Sequence, residues 1–177
     1  MPEAQWVTVA AERARYAHHD NVGTNQGYVA FLGQVADTVS SLTAPDATVL
    51  DFGSGENHVL TDILNDRGRR CRAYDPLYGL GGDALLEKYA VVVMCEVIEH
   101  LRDLRAELAR VGGCLRSGSH VVVRTRCYPS LTEIPSWWYA RDITHINFFA
   151  PRSLEHAAGL IGRSNQATQL PDIFVWR

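Results

Sequence analysis

The sequence predicts an α/β fold with a mostly parallel central sheet and helices on both faces. Two observations carry this. Short apolar strands alternate with amphipathic helices along nearly the whole chain, and the run Tyr89 to Cys95 (YAVVVMC) is almost continuously apolar. Such a run suits a central strand covered on both sides, and strand–helix alternation favours parallel neighbours joined by crossovers.

The elements follow in order. Tyr28, Phe31, Leu32, Val35, Val39 and Leu42 recur at helical spacing, so residues 28–42 are expected as a helix that Ala44-Pro45-Asp46 ends. Residues 47–52 read as the first strand, followed by the turn Gly53-Ser54-Gly55. Val59, Leu60, Ile63 and Leu64 mark the next helix, with Gly68 as its stop. Residues 70–75 are a second strand closed by Pro76, and 89–95 a further, central strand; a third strand in the short segment between them is hard to find. Leu101, Leu104, Leu108, Val111 and Leu115 share one helical stripe. A strand is expected over 120–125, an irregular loop over 127–143, and a further strand over 145–149. Pro151 suits a first helical position, although Ala150 is a poor cap. Residues 172–176 suit a last strand.

Size and charge narrow the function. The 177 residues carry 46% apolar and 21% charged side chains, enough for one sizeable core. A net charge of −3 leaves no electrostatic footprint for nucleic acid or an anionic membrane. Nucleic acid is therefore disfavoured as a partner. The four cysteines are widely spaced, without a CxxC pair, and the seven histidines show no HxxxH pattern, so neither a disulfide framework nor a metal is expected. Without a signal peptide or a membrane span, the expected setting is cytoplasmic.

Right-handed crossovers place a crevice at the carboxyl ends of parallel strands. The most informative segment there is Val49-Leu50-Asp51-Phe52-Gly53-Ser54-Gly55-Glu56-Asn57. The glycines allow a sharp turn and close approach of a ligand. A dinucleotide loop would place a third glycine where His58 stands. Asp51 and Glu56 would repel a pyrophosphate yet neutralise a sulfonium or ammonium. Asp75 follows 24 residues after Asp51, where an acid can accept hydrogen bonds from two ribose hydroxyls.

These residues resemble the class I S-adenosylmethionine-dependent methyltransferases. VLDFGSGEN is similar to the first motif, hDhGxGxG, with Asn57 in place of its last glycine. Tyr74-Asp75-Pro76 resembles the acidic second motif, and Cys95-Glu96-Val97-Ile98-Glu99-His100-Leu101 the segment after the fourth strand. Leu115-Arg116-Ser117-Gly118-Ser119 stands where the family has L-[KR]-P-G-G. The segments from Tyr16 to Leu32 and from Trp138 to Pro151 resemble a group of small bacterial methyltransferases.

The resemblance implies a Rossmann-like three-layer sandwich with an antiparallel last strand. It implies one domain over 1–177, with residues 1–45 covering the cofactor site and 127–149 forming an acceptor-side loop. S-adenosyl-L-methionine is the implied cofactor and S-adenosyl-L-homocysteine its product. Asp51, Gly53, Ser54 and Gly55 are expected at the methionine part, Asp75 with Pro76 at the ribose, Asp83 near adenine, and Cys95, Glu96 and Val97 beneath the sulfonium. His145 is the first candidate for a general base, since imidazole titrates near neutrality; Tyr28 and His19 are further candidates. Arg124, Arg126 and Arg141 would suit an anionic small-molecule acceptor. A homodimer is compatible with so short a chain. Two other readings stand beside this one. One is a degenerate fold serving as a cofactor-binding or assembly module, suggested by Asn57 and a short 77–89 segment. The other is a nicotinamide-dependent dehydrogenase.

Overall fold

A computed structural model describes residues 6–18 and 20–177. Among these residues, six strands form one sheet: β1 (Thr48–Phe52), β2 (Arg70–Tyr74), β3 (Tyr89–Cys95), β4 (Leu115–Arg124), β5 (Asn165–Ala167) and β6 (Ile173–Trp176). Their order is β2-β1-β3-β4-β6-β5. The first four run parallel, and β6 lies antiparallel to both β4 and β5. The Rossmann-like sandwich with its antiparallel last strand is therefore the observed architecture.

Among the described residues, five α-helices accompany the sheet: α1 (Val9–Tyr16), α2 (Gln26–Leu42), α3 (Val59–Asp66), α4 (Leu104–Gly113) and α5 (Pro151–Gly159). Successive strand residues point to opposite faces. Val49, Val91, Val93 and Val122 pack with Leu32, Val35, Val39, Leu60 and Leu64 of α2 and α3. Leu50, Phe52, Val92, Met94 and Val123 pack with Leu108, Val111, Leu154 and Ala158 of α4 and α5. Val91 to Met94 have no exposed surface, as the unbroken apolar run requires.

Some boundaries differ from the sequence expectation. Residues 145–149 form no strand; one bridge joins Cys127 to Phe149. Helix α4 starts only at Leu104, because Ile98–His100 makes a separate 3-10 turn and Asp103 caps the helix by accepting from Ala106 N. Leu115 belongs to β4. The weak cap at Ala150 is repaired from inside the helix, where Ser153 Oγ accepts from Ala150 N at 2.8 Å. Strand β5 has a polar, mostly exposed sequence (NQA) and left no hydrophobic pattern to read.

The segment between β2 and β3 holds a short 3-10 helix, Gly82–Leu86, and no strand. β2 is thus a sheet edge. Arg72 on that edge pairs with Asp83 and Glu87, which places charge along the otherwise open strand. The chain leaves β1 to one side for β2, then returns to β1's other side for β3. That reversal is the switch point at which open α/β sheets bind ligands. Among the described residues, no helix is long and apolar enough to cross a membrane.

Candidate functional site

At the switch point lies a cavity of about 820 Å³, within the size range of small-molecule sites. Its floor is the turn after β1. Gly53 (φ 82°) donates its N–H to Tyr74 O at 2.7 Å, and Ser54 N bonds the same carbonyl. A Cβ at Gly53 would stand 2.5 Å from Val97 Cγ2, so that position has no room for a side chain. Gly55 (φ 70°) has open space where a Cβ would be and donates its N–H to Asp75 Oδ2 at 2.9 Å. Asp75 Oδ1 accepts from Leu77 N at 2.9 Å. Each carboxylate oxygen keeps a second lone pair for a ligand. Burial raises the Asp75 carboxyl above its usual range, while the Gly55 and Leu77 amides pull it back.

Cys95 and Glu96 form the next part of the wall. Glu96 adopts a left-handed backbone (φ 53°), costly for a residue with a Cβ. The 3-10 turn follows directly and holds Glu99, which is fully buried, and His100. Opposite them stand Tyr16, Tyr28 and Phe31 from the N-terminal elements and Trp138, Tyr139, Arg141, Asp142 and His145 from the loop after β4. Arg15 of α1 bonds Asp142 at 2.8 Å, clasping these two segments together over the crevice. Burial works to raise the Asp142 carboxyl, but Thr144 and Arg15 hold it down to about 2. Asn57 also lines the cavity, and its amide donates to Asn21 O at 3.1 Å. The residue that replaces the motif's last glycine thus ties the N-terminal segment to the turn.

A family model described as a methyltransferase domain matches residues 21–165. The chain belongs to the class I S-adenosylmethionine-dependent methyltransferases. S-adenosylmethionine is accordingly its cofactor. No curated protein sequence matches this methyltransferase. Solved structures do. DesVI from Streptomyces venezuelae is 16% identical with a TM-score of 0.63, covering 96% of this chain and 98% of that one. An O-methyltransferase family protein from Burkholderia thailandensis is 13% identical with a TM-score of 0.65, covering 93% and 61%. CalO1, a methyltransferase in calicheamicin biosynthesis solved with S-adenosylhomocysteine (SAH), is 15% identical with a TM-score of 0.56, covering 93% and 60%. At such identities the likeness is one of fold. The chain spans about three-fifths of the length of CalO1 and of LaPhzM.

The methyltransferase's lining fits a cationic nucleoside. Gly55 leaves open space at the turn, and Asp75 presents two oxygens with spare lone pairs. Glu56, Glu96 and Asp142 add acidic groups along the wall. One oxygen, Glu96 Oε1, is buried without a hydrogen-bond partner.

The structure sorts the residues singled out from sequence. Gly53, Ser54, Gly55, Asp75, Cys95, Glu96, Tyr28 and His145 line the cavity. His19 lies outside the described residues. Asp51 does not line it. The Asp51 side chain faces α3, fully buried, and accepts from Thr61 Oγ1 at 2.9 Å, because alternation along β1 turns it away from the crevice. Val97 acts from behind, pressed against Gly53. Pro76 is exposed, and Asp83 is tied to Arg72 on the sheet edge at 2.7 Å, so neither lines the cavity.

Of the arginines expected to meet an anionic acceptor, only Arg141 lines the cavity. Arg124 is 3% exposed and stacks 3.4 Å over Phe31. It bonds Phe31 O, Gln34 Oε1 and Asp172, stapling α2 to the sheet. Arg126 sits beside Asp172 and over Trp138.

Sequence reasoning missed one cluster. Tyr139 Oη lies 2.5 Å from Glu99 Oε1, 3.1 Å from Glu96 Oε2 and 3.3 Å from Thr125 Oγ1. Glu96 and Glu99 stand three residues apart on one turn, which was a legible signal. That Tyr139 joins them, 40 residues onward, was not.

The buried Asp51 gives a pH dependence. Burial pushes its carboxyl up to about 7, against the Thr61 hydroxyl bond. The unfolded chain releases this proton near pH 4, so between pH 4 and 7 the folded state holds the extra proton. Stability is then full below pH 4 and falls as pH rises through 7, with a slope approaching about 1.4 kcal/mol per unit. Urea midpoints of the cofactor-free protein should fall across this window, and Asp51→Asn should make the fall shallower, the buried Glu96 and Glu99 keeping the remainder. Equal slopes in both proteins would contradict the assignment.

Proposed function

We propose that this methyltransferase transfers a methyl group from S-adenosylmethionine to a small-molecule acceptor seated between the N-terminal elements and the 138–145 segment. The observation that carries the reading is the hydrogen bond between Gly55 N and Asp75 Oδ2 at 2.9 Å. It joins glycine turn and acid in one cradle at the strand ends, the arrangement that a sugar next to a cationic group requires.

Gly53, Ser54 and Gly55 give the backbone surface for the methionine part, and Asp75 accepts from the ribose hydroxyls. Cys95 and Glu96 would face the sulfonium, whose charge an ionised Glu96 would balance. S-adenosylmethionine supplies a methyl already activated by that sulfonium. Burial pushes the Cys95 thiol up, so this sulfur stays neutral and does not compete as a nucleophile. Tyr16, Tyr28, Phe31 and Trp138 exclude water from the acceptor side. An acceptor that gives up a proton with the transfer would pass it to the side chains at this end. His145 and Glu96 are the groups placed there for that role. Burial raises the Tyr28 phenol, so it stays a hydrogen-bond donor rather than a base.

The test is calorimetric. SAH is expected to bind one-to-one and NADH to give no binding heat. NADH binding with SAH excluded would overturn the reading in favour of a dehydrogenase. Binding of neither ligand would favour the degenerate module.

A further inference from the structure

The acceptor end holds more ligating chemistry than holding one proton requires. Ligand atoms of Glu99, His100 and His145 all lie within 4.8 Å of one another. His100 Nε2 is 3.9 Å from Glu99 Oε1. Ligands at roughly 2.1 Å from one ion stand about 3–3.5 Å apart, so small side-chain rotations close this set around a cation.

Both imidazoles are oriented alike. His100 Nδ1 lies 3.1 Å from Thr144 O, and His145 Nδ1 lies 2.7 Å from Tyr139 O. A carbonyl only accepts, so each Nδ1 carries the hydrogen, and each ring when neutral has its lone pair at Nε2. Proteins fix metal-binding histidines in this way, by a carbonyl on the far nitrogen. The carboxylate is fixed too: Thr125 Oγ1 donates to Glu99 Oε2 and Tyr139 Oη to Glu99 Oε1.

A second carboxylate adjoins the set. Tyr139 Oη also touches Glu96 Oε2 at 3.1 Å, yet a phenol has one proton and cannot serve both acids. Glu96 Oε1 is buried with no partner. Among the described residues, Arg124 and Arg126 act on Glu96 only from a distance and bond Asp172 instead. Two adjacent buried acids of this kind call for a cation or a shared proton.

We propose that Glu99, His100 and His145 bind a first-row divalent cation, beside Glu96, and that the acceptor is an oxygen nucleophile with a neighbouring oxygen, such as a vicinal diol or an α-hydroxy acid, that completes the coordination. The acceptor part rests on the methyl-transfer reading above; the metal part does not. Two ring nitrogens and one carboxylate suit zinc, cobalt, iron or manganese better than magnesium or calcium. With the ion in place, His145 acts as a ligand, the bound hydroxyl is acidified, and Glu96 is the carboxylate left to receive its proton.

The test uses cobalt(II) alone, added to chelator-stripped protein without cofactor. Visible absorption and calorimetry are expected to show one Co²⁺ per chain. His100→Asn and His145→Asn each retain an N–H for the Nδ1 bond and lose Nε2. Each should weaken binding at least about 100-fold. Copper(II) bound to wild-type protein, read by electron paramagnetic resonance, should show coupling to two ring nitrogens, a readout that needs no variant. Absence of stoichiometric Co²⁺ binding, or unchanged affinity in both variants, would overturn the proposal and mark the cluster as a hydrogen-bonded carboxylate pair sharing a proton. SAH titration of the same samples separates the two readings. Protein that binds SAH but not Co²⁺ loses only the metal site, and the reverse result loses only methyl transfer.

Discussion

Asp75→Ala should lose SAH affinity by about 100-fold or more while the protein remains folded. The carboxylate does two things at once. Its oxygens accept from Gly55 N and Leu77 N, which hold the turn after β1 against the turn after β2. Their remaining lone pairs are the acceptors proposed for the ribose. Hydrogen bonds to a charged group contribute about 1.5–3 kcal/mol each, so losing two corresponds to at least a hundredfold in affinity. Asp83→Ala is the matched control. Asp83 is an exposed acid eight residues on, held only toward Arg72, and its removal should change affinity less than about twofold. Titration calorimetry with circular dichroism on both variants checks the pair of outcomes. Wild-type affinity in a folded Asp75→Ala protein would remove the ribose assignment.

Gly81→Ala should damage both the fold and the site. Gly81 sits at φ 64°, and its Cβ would lie 1.9 Å from Ala73 O, a backbone atom of β2 that cannot swing aside. A left-handed L-residue costs about 1–2 kcal/mol, and overpacking typically about 1–3 more. For a chain of this size, such a sum lowers Tm by roughly 10 °C. The displaced backbone is the end of β2 that carries Asp75, which also pairs with Leu80 in both directions. SAH affinity should therefore fall as well. Gly79→Ala isolates the conformational part, because Gly79 has φ 68° and open space around it. It should lower Tm by roughly 4 °C and leave binding intact. Equal Tm values for the two variants would show that the Ala73 contact yields easily.

The contrast between Asp75 and Asp83 shows how far the sequence reaches. Spacing from the glycine turn located Asp75, because strand length and one crossover helix fix where a second strand ends. Asp83 follows a segment without strand or helix periodicity, and its position depends on how residues 76–88 pack on the sheet edge. There Arg72 claims it. Arg124 teaches the same lesson from inside. Its alternation with Arg126 was legible, but Asp172 and the Phe31 ring, distant in sequence, decide that it is a staple and not an acceptor contact.

By itself the sequence determined the layered α/β order, the switch-point crevice and the family, because these follow from local periodicity, glycine turns and short-range spacing. The tertiary structure alone decided the end of the cavity proposed for the acceptor. Glu96, Glu99 and His100 come from one turn, Tyr139 and His145 from a loop 40 residues later, and Arg15 from the first helix. Their meeting depends on long-range packing, which leaves no period in the chain; only the folded backbone brings their lone pairs and charges to one end of the cavity.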